Sequence, residues 1–363
     1  MKQKRWTRTL AKALAVVVAR ARGEEVRRLL ASIGILDHGL RIKVLGDKLA
    51  IPLSGSLPRD IEEQLKKAYG AVVKEEEFEE IPKRPRTVLE WLSDKLPPHL
   101  LASVPRSWDL IGDVAIVEVP DELLGHERLI AEAILAVHKN VKSVYMKVGP
   151  VSGDFRTREL RLIGGEDKSV TVHKEHGAIF CVDVKGVYFS PRLATERRRV
   201  AEQVKDGEVV LDMFSGVGPY AIQIALRKRA LVHAIELNPV AYECLKKNIE
   251  LNKLEGRVIP HFGDAREVVE KRLSHKFDRV VMNLPEKSLD FIDVALKALR
   301  GAGILHVYVF KEEPEAVKKA EEAVKLRIEE SGWRVVEILY SGAVRQIAPR
   351  RWQVVVDCEV GRP

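Results

Sequence analysis

Beyond residue 200, short apolar runs alternate with stretches of helical period. Residues 209–213, 230–236, 258–262, 278–283 and 303–310 read as strands, with helices fitting between them. That βαβ rhythm predicts an α/β fold built on a doubly wound, mostly parallel sheet. The end of the chain breaks the rhythm. Residues 335–340 and 352–360 are strand-like with no helix between, which predicts an antiparallel hairpin at the sheet edge.

Earlier segments are mixed. Residues 10–19 read as a helix rather than a leader: the stretch is short, keeps Lys12 inside, and is followed by Arg20 and Arg22. Residues 27–33 and 60–69 read as helices, and 40–44 and 48–52 as strands, which makes a small α/β unit over 1–80. The run KEEEFEEIPKRPR, 74–86, carries charge blocks and prolines and reads as a linker. An α+β domain over 88–200 follows. It has strands at 113–119 and 141–148, a helix at 122–137, a loop at 151–159, and a hairpin of 169–173 with 179–184 about His176-Gly177. The Rossmann-like sheet then occupies 201–363.

Composition narrows the classes. No apolar run is long enough to cross a bilayer, so no membrane partner is expected. Cys181, Cys244 and Cys358 are far apart, which argues against a metal site or a disulfide framework and favours a reducing cytoplasm. The wealth of Arg, Lys and Glu suggests a heat-adapted source. The net charge is +8, and residues 1–30 hold nine Lys or Arg (Lys2, Lys4, Arg5, Arg8, Lys12, Arg20, Arg22, Arg27, Arg28) against Glu24 and Glu25. Such a cluster is either a phosphate-binding arm or a solvated helix face.

The sharpest motif is VVLDMFSGVGPYAIQIAL, 209–226. A strand runs into Asp212, Gly216 and Gly218 turn the chain, and a helix begins. The acidic residue precedes the glycines and a third glycine is missing, so this is not the dinucleotide fingerprint. A carboxylate there repels phosphate and suits a cationic amino-acid ligand, as in S-adenosylmethionine. The next strand ends in Glu236, placed to accept both ribose hydroxyls, followed by Leu237. The third ends in Asp264-Ala265, where the aspartate can accept from an adenine amino group. The fourth ends in Asn283-Leu284-Pro285, without the aromatic of exocyclic-amine methyltransferases, which points to a ring nitrogen as methyl acceptor.

Several stretches go further: DLIGDVAIVEVP (109–120), HKNVKSVYMKVGPVSGDFRTREL (138–160), HKEHG (173–177), VYFSPRLATER (187–197), DMFSGVGPY (212–220) and MNLP (282–285). Over about 88–360 the chain closely resembles the archaeal and eukaryotic tRNA (guanine-N1) methyltransferase family, which modifies the purine at position 37, next to the anticodon. The resemblance implies S-adenosylmethionine as cofactor, tRNA as partner and a small tRNA-binding domain at the N-terminus. It implies Glu196 as general base for the guanine N1 proton, Arg156 as stabiliser of charge on O6, Asn283 as holder of the base edge and Pro285 as a stiff turn. Arg192 and Phe214 then line the cofactor pocket and Tyr188 lies near the base. Arg158, Arg197, Arg345 and Arg350 are expected RNA contacts, the last two in a loop with Arg351. The plainer alternatives are a Glu196 paired with Arg199 on its own helix, and arginines that only touch phosphate. Two other functions stay open: an enzyme that builds a wyosine-type base, by aminocarboxypropyl transfer or ring-carbon methylation, and a non-catalytic RNA-binding protein on a methyltransferase fold. A monomer is expected.

Overall fold

The structure is a computed structural model and describes residues 10–81, 85–149, 153 and 157–363. The chain divides into two compact units, 1–85 and 86–363. Among the described residues, no helix is long and apolar enough to cross a membrane.

The first unit contains β1 (Leu10–Ala19), α1 (Gly23–Ser32), β2 (Lys43–Leu45), β3 (Lys48–Pro52), α2 (Arg59–Tyr69) and β4 (Val72–Glu79). Its strands form one antiparallel sheet in the order β2-β3-β1-β4. The helix expected over 10–19 is therefore a strand. Val16 and Val18 pack with Val26, Leu30 and Leu65 on one face, whereas Ala15 and Val17 pack with Leu40, Ala50 and Phe78 on the other. With both faces covered over residues 15–18, the apolar residues run together there and period 2 is erased from the sequence. The expected linker is also corrected over its first six residues, 74–79. Residues 72–79 pair along β1, with Phe78 buried and Glu76 taking Lys43 and Lys74 at 2.9 and 2.6 Å. A charged edge strand of this kind resists pairing with other chains. Of the basic cluster, Lys2, Lys4, Arg5 and Arg8 lie outside the described residues. Arg27 and Arg28 pair with Glu24, and Arg22 pairs with Glu25.

The second unit begins with α3 (Val88–Leu92), α4 (Pro98–Ala102), β5 (Asp109–Ile111), β6 (Val114–Val117), α5 (Glu127–Val137), β7 (Ser143–Lys147) and β8 (Leu160–Gly165). These strands form a mixed sheet, β5-β6-β7-β8, with β6 and β7 parallel. The hairpin of β9 (Val170–Glu175) and β10 (Ala178–Asp183) follows, then α6 (Ala194–Gln203). Next come β11 (Val209–Asp212), α7 (Pro219–Arg227), β12 (Leu231–Glu236), α8 (Pro239–Leu251), β13 (Arg257–Phe262), α9 (Ala265–Val268), β14 (Phe277–Met282), α10 (Ile292–Ala298) and β15 (Leu299–Glu312). The chain ends in α11 (Ala316–Glu330), β16 (Arg334–Ala348) and β17 (Arg351–Gly361).

The large sheet has seven strands in the order β13-β12-β11-β14-β15-β17-β16. The first five are parallel, and the expected antiparallel hairpin closes the edge: β17 runs against β15, and β16 runs against β17. Both faces are buried: Val280 and Met282 of β14 enter one core and Val281 the other. The hairpin β9–β10 is fastened to this body by side-chain amides of α8 and of the residue that caps its end. Asn248 Oδ1 accepts from the Cys181 N–H at 2.6 Å and Nδ2 donates to the Cys181 carbonyl at 3.1 Å. Asn252 repeats the pattern on Ile179, at 2.8 Å in each direction.

Candidate active site

A cavity of about 520 Å³ opens at the carboxyl ends of β11 to β14. In a doubly wound sheet this is where ligands bind, because neighbouring loops diverge there. One side consists of strand-end turns: Phe214, Ser215 and Gly216 after β11, Glu236 and Leu237 at β12, Gly263, Asp264 and Ala265 after β13, and Asn283 to Pro285 after β14. The opposite side is Tyr188, Phe189, Ser190, Leu193, Arg197, Arg345 and Gln353.

The strand-end side is shaped by backbone. Gly216 and Gly218 have φ of +55° and +88°. A Cβ on Gly218 would also lie 2.5 Å from the end of the Leu245 side chain, so a substitution there is strained in backbone and must displace Leu245 as well. The Glu236 carboxylate is pinned by backbone donors, Gly216 N–H at 2.6 Å and Asn238 N–H at 2.7 Å. Burial nevertheless pushes its pKa up. Asp264 caps α9 by accepting from the Arg266 N–H at 2.7 Å. Phe214 stands edge-on to Phe291, whose other neighbour is the Arg266 guanidinium at 3.7 Å.

Asp212 is fully buried behind the glycine turn and is not among the described lining residues. Its Oδ2 accepts from the Ala221 N–H at 3.3 Å, and among the described residues its Oδ1 has no partner. Burial pushes its pKa up to about 7, with the charge of Glu236 adding to the shift. A buried carboxylate with an orphaned oxygen is costly unless a cation or donor reaches it. An ammonium-bearing nucleoside fits this set of groups: Glu236 and Asp264 line the cavity as carboxylates, and Asp212 lies behind the glycine turn as a buried acidic group. The residues present therefore fit S-adenosylmethionine.

The opposite side differs from expectation at several positions. Arg345 is not in a loop; it lies in β16 and faces the cavity. It donates from Nη2 to the Tyr188 hydroxyl at 2.6 Å, from Nη1 to Ser190 Oγ at 3.0 Å and from Nε to Gln353 Oε1 at 2.9 Å. Arg197 is 2% exposed and grips Glu175 bidentately at 2.9 and 2.6 Å, which corrects the expectation of a surface phosphate contact. Arg192 is bonded to Asp109 at 2.7 Å and is not among the described lining residues, so the structure does not bring it to the cofactor cavity. Arg158 is half-buried outside that lining, and Arg350 is exposed in the turn between β16 and β17. Arg156 lies outside the described residues, although Gly153 of the same loop lines the cavity.

Glu196 takes the plainer of its two expected states. Leu193 and Arg197, on either side of it, line the cavity, but its own carboxylate accepts from Arg199 at 2.9 and 2.7 Å and from the Tyr308 hydroxyl at 2.5 Å. Arg199 also meets the buried Asp357 at 2.5 Å. Behind Asp357 stands His306, which donates from Nδ1 at 2.7 Å because its Nε2 must accept from Arg279, 2.8 Å away. Reading the sequence missed Ser190, Gln353, Tyr308, His306 and Asp357. For all but Ser190, the available signal was a set of polar residues inside otherwise apolar β15 and β17.

A parallel sheet extended by an inserted antiparallel strand, with carboxylates ending consecutive strands around a nucleoside-sized cavity, defines a class I S-adenosylmethionine-dependent methyltransferase. The model of the TRM5/TYW2 methyltransferase domain matches residues 171–336, that of the TYW2 N-terminal domain 88–168, and that of the tRNA methyltransferase 5 N-terminal domain 15–61. The chain is 40% identical to tRNA (guanine(37)-N(1))-methyltransferase Trm5b of Pyrococcus abyssi, over 96% of this chain and 99% of that one. The solved structure of a complex of aTrm5 with tRNALeu superposes with a TM-score of 0.76 at 32% identity, covering 95% of this chain and 99% of that chain. A tRNA(Phe) (4-demethylwyosine(37)-C(7)) aminocarboxypropyltransferase of Pyrococcus horikoshii is 34% identical over 76% of this chain and 97% of its own. This chain belongs to the TRM5/TYW2 family of tRNA-modifying enzymes.

Proposed function

We infer that this chain is a tRNA methyltransferase that transfers the methyl group of S-adenosylmethionine to N1 of guanine 37. The observation that carries the reading is the end-to-end match to the Pyrococcus abyssi methyltransferase, which includes the N-terminal unit. The aminocarboxypropyltransferase aligns over a smaller share of the chain.

S-adenosylmethionine, when bound, supplies an activated methyl group. The chain's residues do the rest. Guanine N1 carries a proton at neutral pH and is a poor nucleophile until that proton leaves. Glu196 is our candidate base. When a purine enters, Glu196 exchanges its contact with Arg199 for the N1 proton, and Arg199 keeps Asp357 as counterion. Asn283 holds the base edge, Pro285 stiffens its turn, and Arg156 offsets charge on O6. Tyr188 borders the base. Arg350 and Arg158 are our candidate RNA contacts outside the cavity. The target purine must leave its stack to reach the cavity. We take the enzyme to act in the cytoplasm, as its three buried free cysteines suit, and as a monomer.

The test is incubation of guanosine-37 tRNA transcripts with methyl-labelled cofactor, followed by nucleoside mass analysis. One added methyl on N1 supports the reading. An aminocarboxypropyl adduct, a methylated ring carbon or no product overturns it.

A further inference from the structure

The least expected part of the cavity is Gln353. It is 1% exposed in β17, and both ends of its amide are engaged. Its Oε1 accepts from Arg345 Nε at 2.9 Å, and its Nε2 donates to Asn283 Oδ1 at 3.4 Å. The chemistry fixes the direction. A guanidinium has only donors, so the Gln353 atom facing Arg345 must be the oxygen. Reversing the amide would set N–H against N–H at a buried position. The nitrogen of Gln353 must then face Asn283, and the Asn283 atom it meets must be the carbonyl oxygen. Arg345 cannot easily swivel to release this order, because its other two nitrogens are held by Ser190 and Tyr188 at 3.0 and 2.6 Å.

The consequence falls on Asn283, which lines the cavity at the end of β14. With its oxygen committed to Gln353, its amide offers the cavity a donor. A base edge docking against that nitrogen must carry an acceptor. Guanine and hypoxanthine present the O6 carbonyl; adenine presents an amino group, which sets donor against donor. The same donor gains strength as N1 loses its proton and charge moves to O6.

We propose that Gln353, oriented by Arg345, is a specificity-determining positioning residue: it locks the Asn283 amide with its donor toward the cavity, so that the site takes a 6-oxopurine and refuses a 6-aminopurine. This rests on the reading that the target base enters beside Asn283.

The test uses the full chain and tRNA transcripts with guanine, hypoxanthine or adenine at position 37. Adenine transcripts are assayed as substrate and as competitive inhibitor. In Gln353→Glu the carboxylate still accepts from Arg345 but forces Asn283 to turn its nitrogen inward and its oxygen outward. The guanine-over-adenine preference is expected to fall by ~10–100-fold, the usual weight of a base-edge hydrogen-bond pattern. Hypoxanthine should follow guanine, and cofactor affinity should stay at the parental value. Gln353→Met, similar in volume and without either hydrogen bond, unlocks Asn283 and should give an intermediate preference, which covers the case of a poorly folded Glu variant. A uniform loss on all three transcripts, or an unchanged preference, overturns the proposal. Failure of the parental chain to methylate guanine 37 removes the functional reading first, and this inference with it.

Discussion

The two sides of the cavity are made in different ways. The cofactor side is an affair of neighbours: each residue sits at the end of a strand, and backbone groups fix its shape. Glu236 is held by two N–H donors within the same pair of turns. The opposite side is assembled across long stretches of chain. Tyr188 and Ser190 meet Arg345 of β16, Arg345 meets Gln353 of β17, and Gln353 meets Asn283 of β14. Local geometry makes the first side robust and general. Distant side chains make the second side particular, and its properties depend on which donors face which acceptors.

The largest expected effect tests whether the sides are separable in function. Glu196→Gln should lower kcat by ~10²–10⁴-fold, the range for removing a general base, while the cofactor dissociation constant measured by titration calorimetry stays at the parental value. A parallel loss of cofactor affinity would mean that the two sides are one. The mirror-image change, Glu236→Ala, removes the carboxylate expected to take the ribose hydroxyls. Cofactor binding should weaken by ~10–100-fold, with kcat at saturating cofactor changed far less. A collapse of kcat at saturation would sink the division.

The smallest effect is a pH dependence at Asp212, whose folded-state pKa of about 7 stands above its ordinary 3.8. An ammonium prefers the carboxylate, so cofactor affinity should weaken about fivefold between about pH 7 and about pH 6 as Asp212 takes up its proton. Asp212→Asn should flatten that slope. In the free protein the sign is opposite. A raised carboxyl pKa gives stability that is full below the unfolded value and is lost as pH rises toward 7. The Asn variant, free of that loss, should therefore melt higher than the parent at pH 7, as read by calorimetry. A lower melting point would show that the orphaned oxygen is not a liability.

The contrast also explains what could be read from the sequence. The doubly wound sheet, its antiparallel edge and the strand-end turns that bring Gly216, Glu236 and Asp264 to one cavity were legible because period and turn chemistry lie within a few residues. The strand at 10–19 was not, because over residues 15–18 both its faces are buried and a doubly covered strand looks like any apolar run. The charged run at 74–79 hid a strand because edge strands carry charge for reasons of their own. Arg345 and Arg197 were misread as surface groups, since nothing near either of them in sequence announces Gln353 or Glu175. A buried arginine is recognised only by its partner, and the partner is chosen by the fold.

The amides of Asn248 and Asn252 carry a last consequence. Each copies a peptide group, giving and receiving at once along β10. A helix thereby acts as a substitute strand, and the hairpin is completed by side chains instead of by another sheet. Aspartate at either site keeps only the acceptor, and leucine keeps neither. The hairpin that supplies Glu175 to Arg197 is thus not a detachable insertion. It can be inherited, moved or redesigned only together with the face of α8 that reads it.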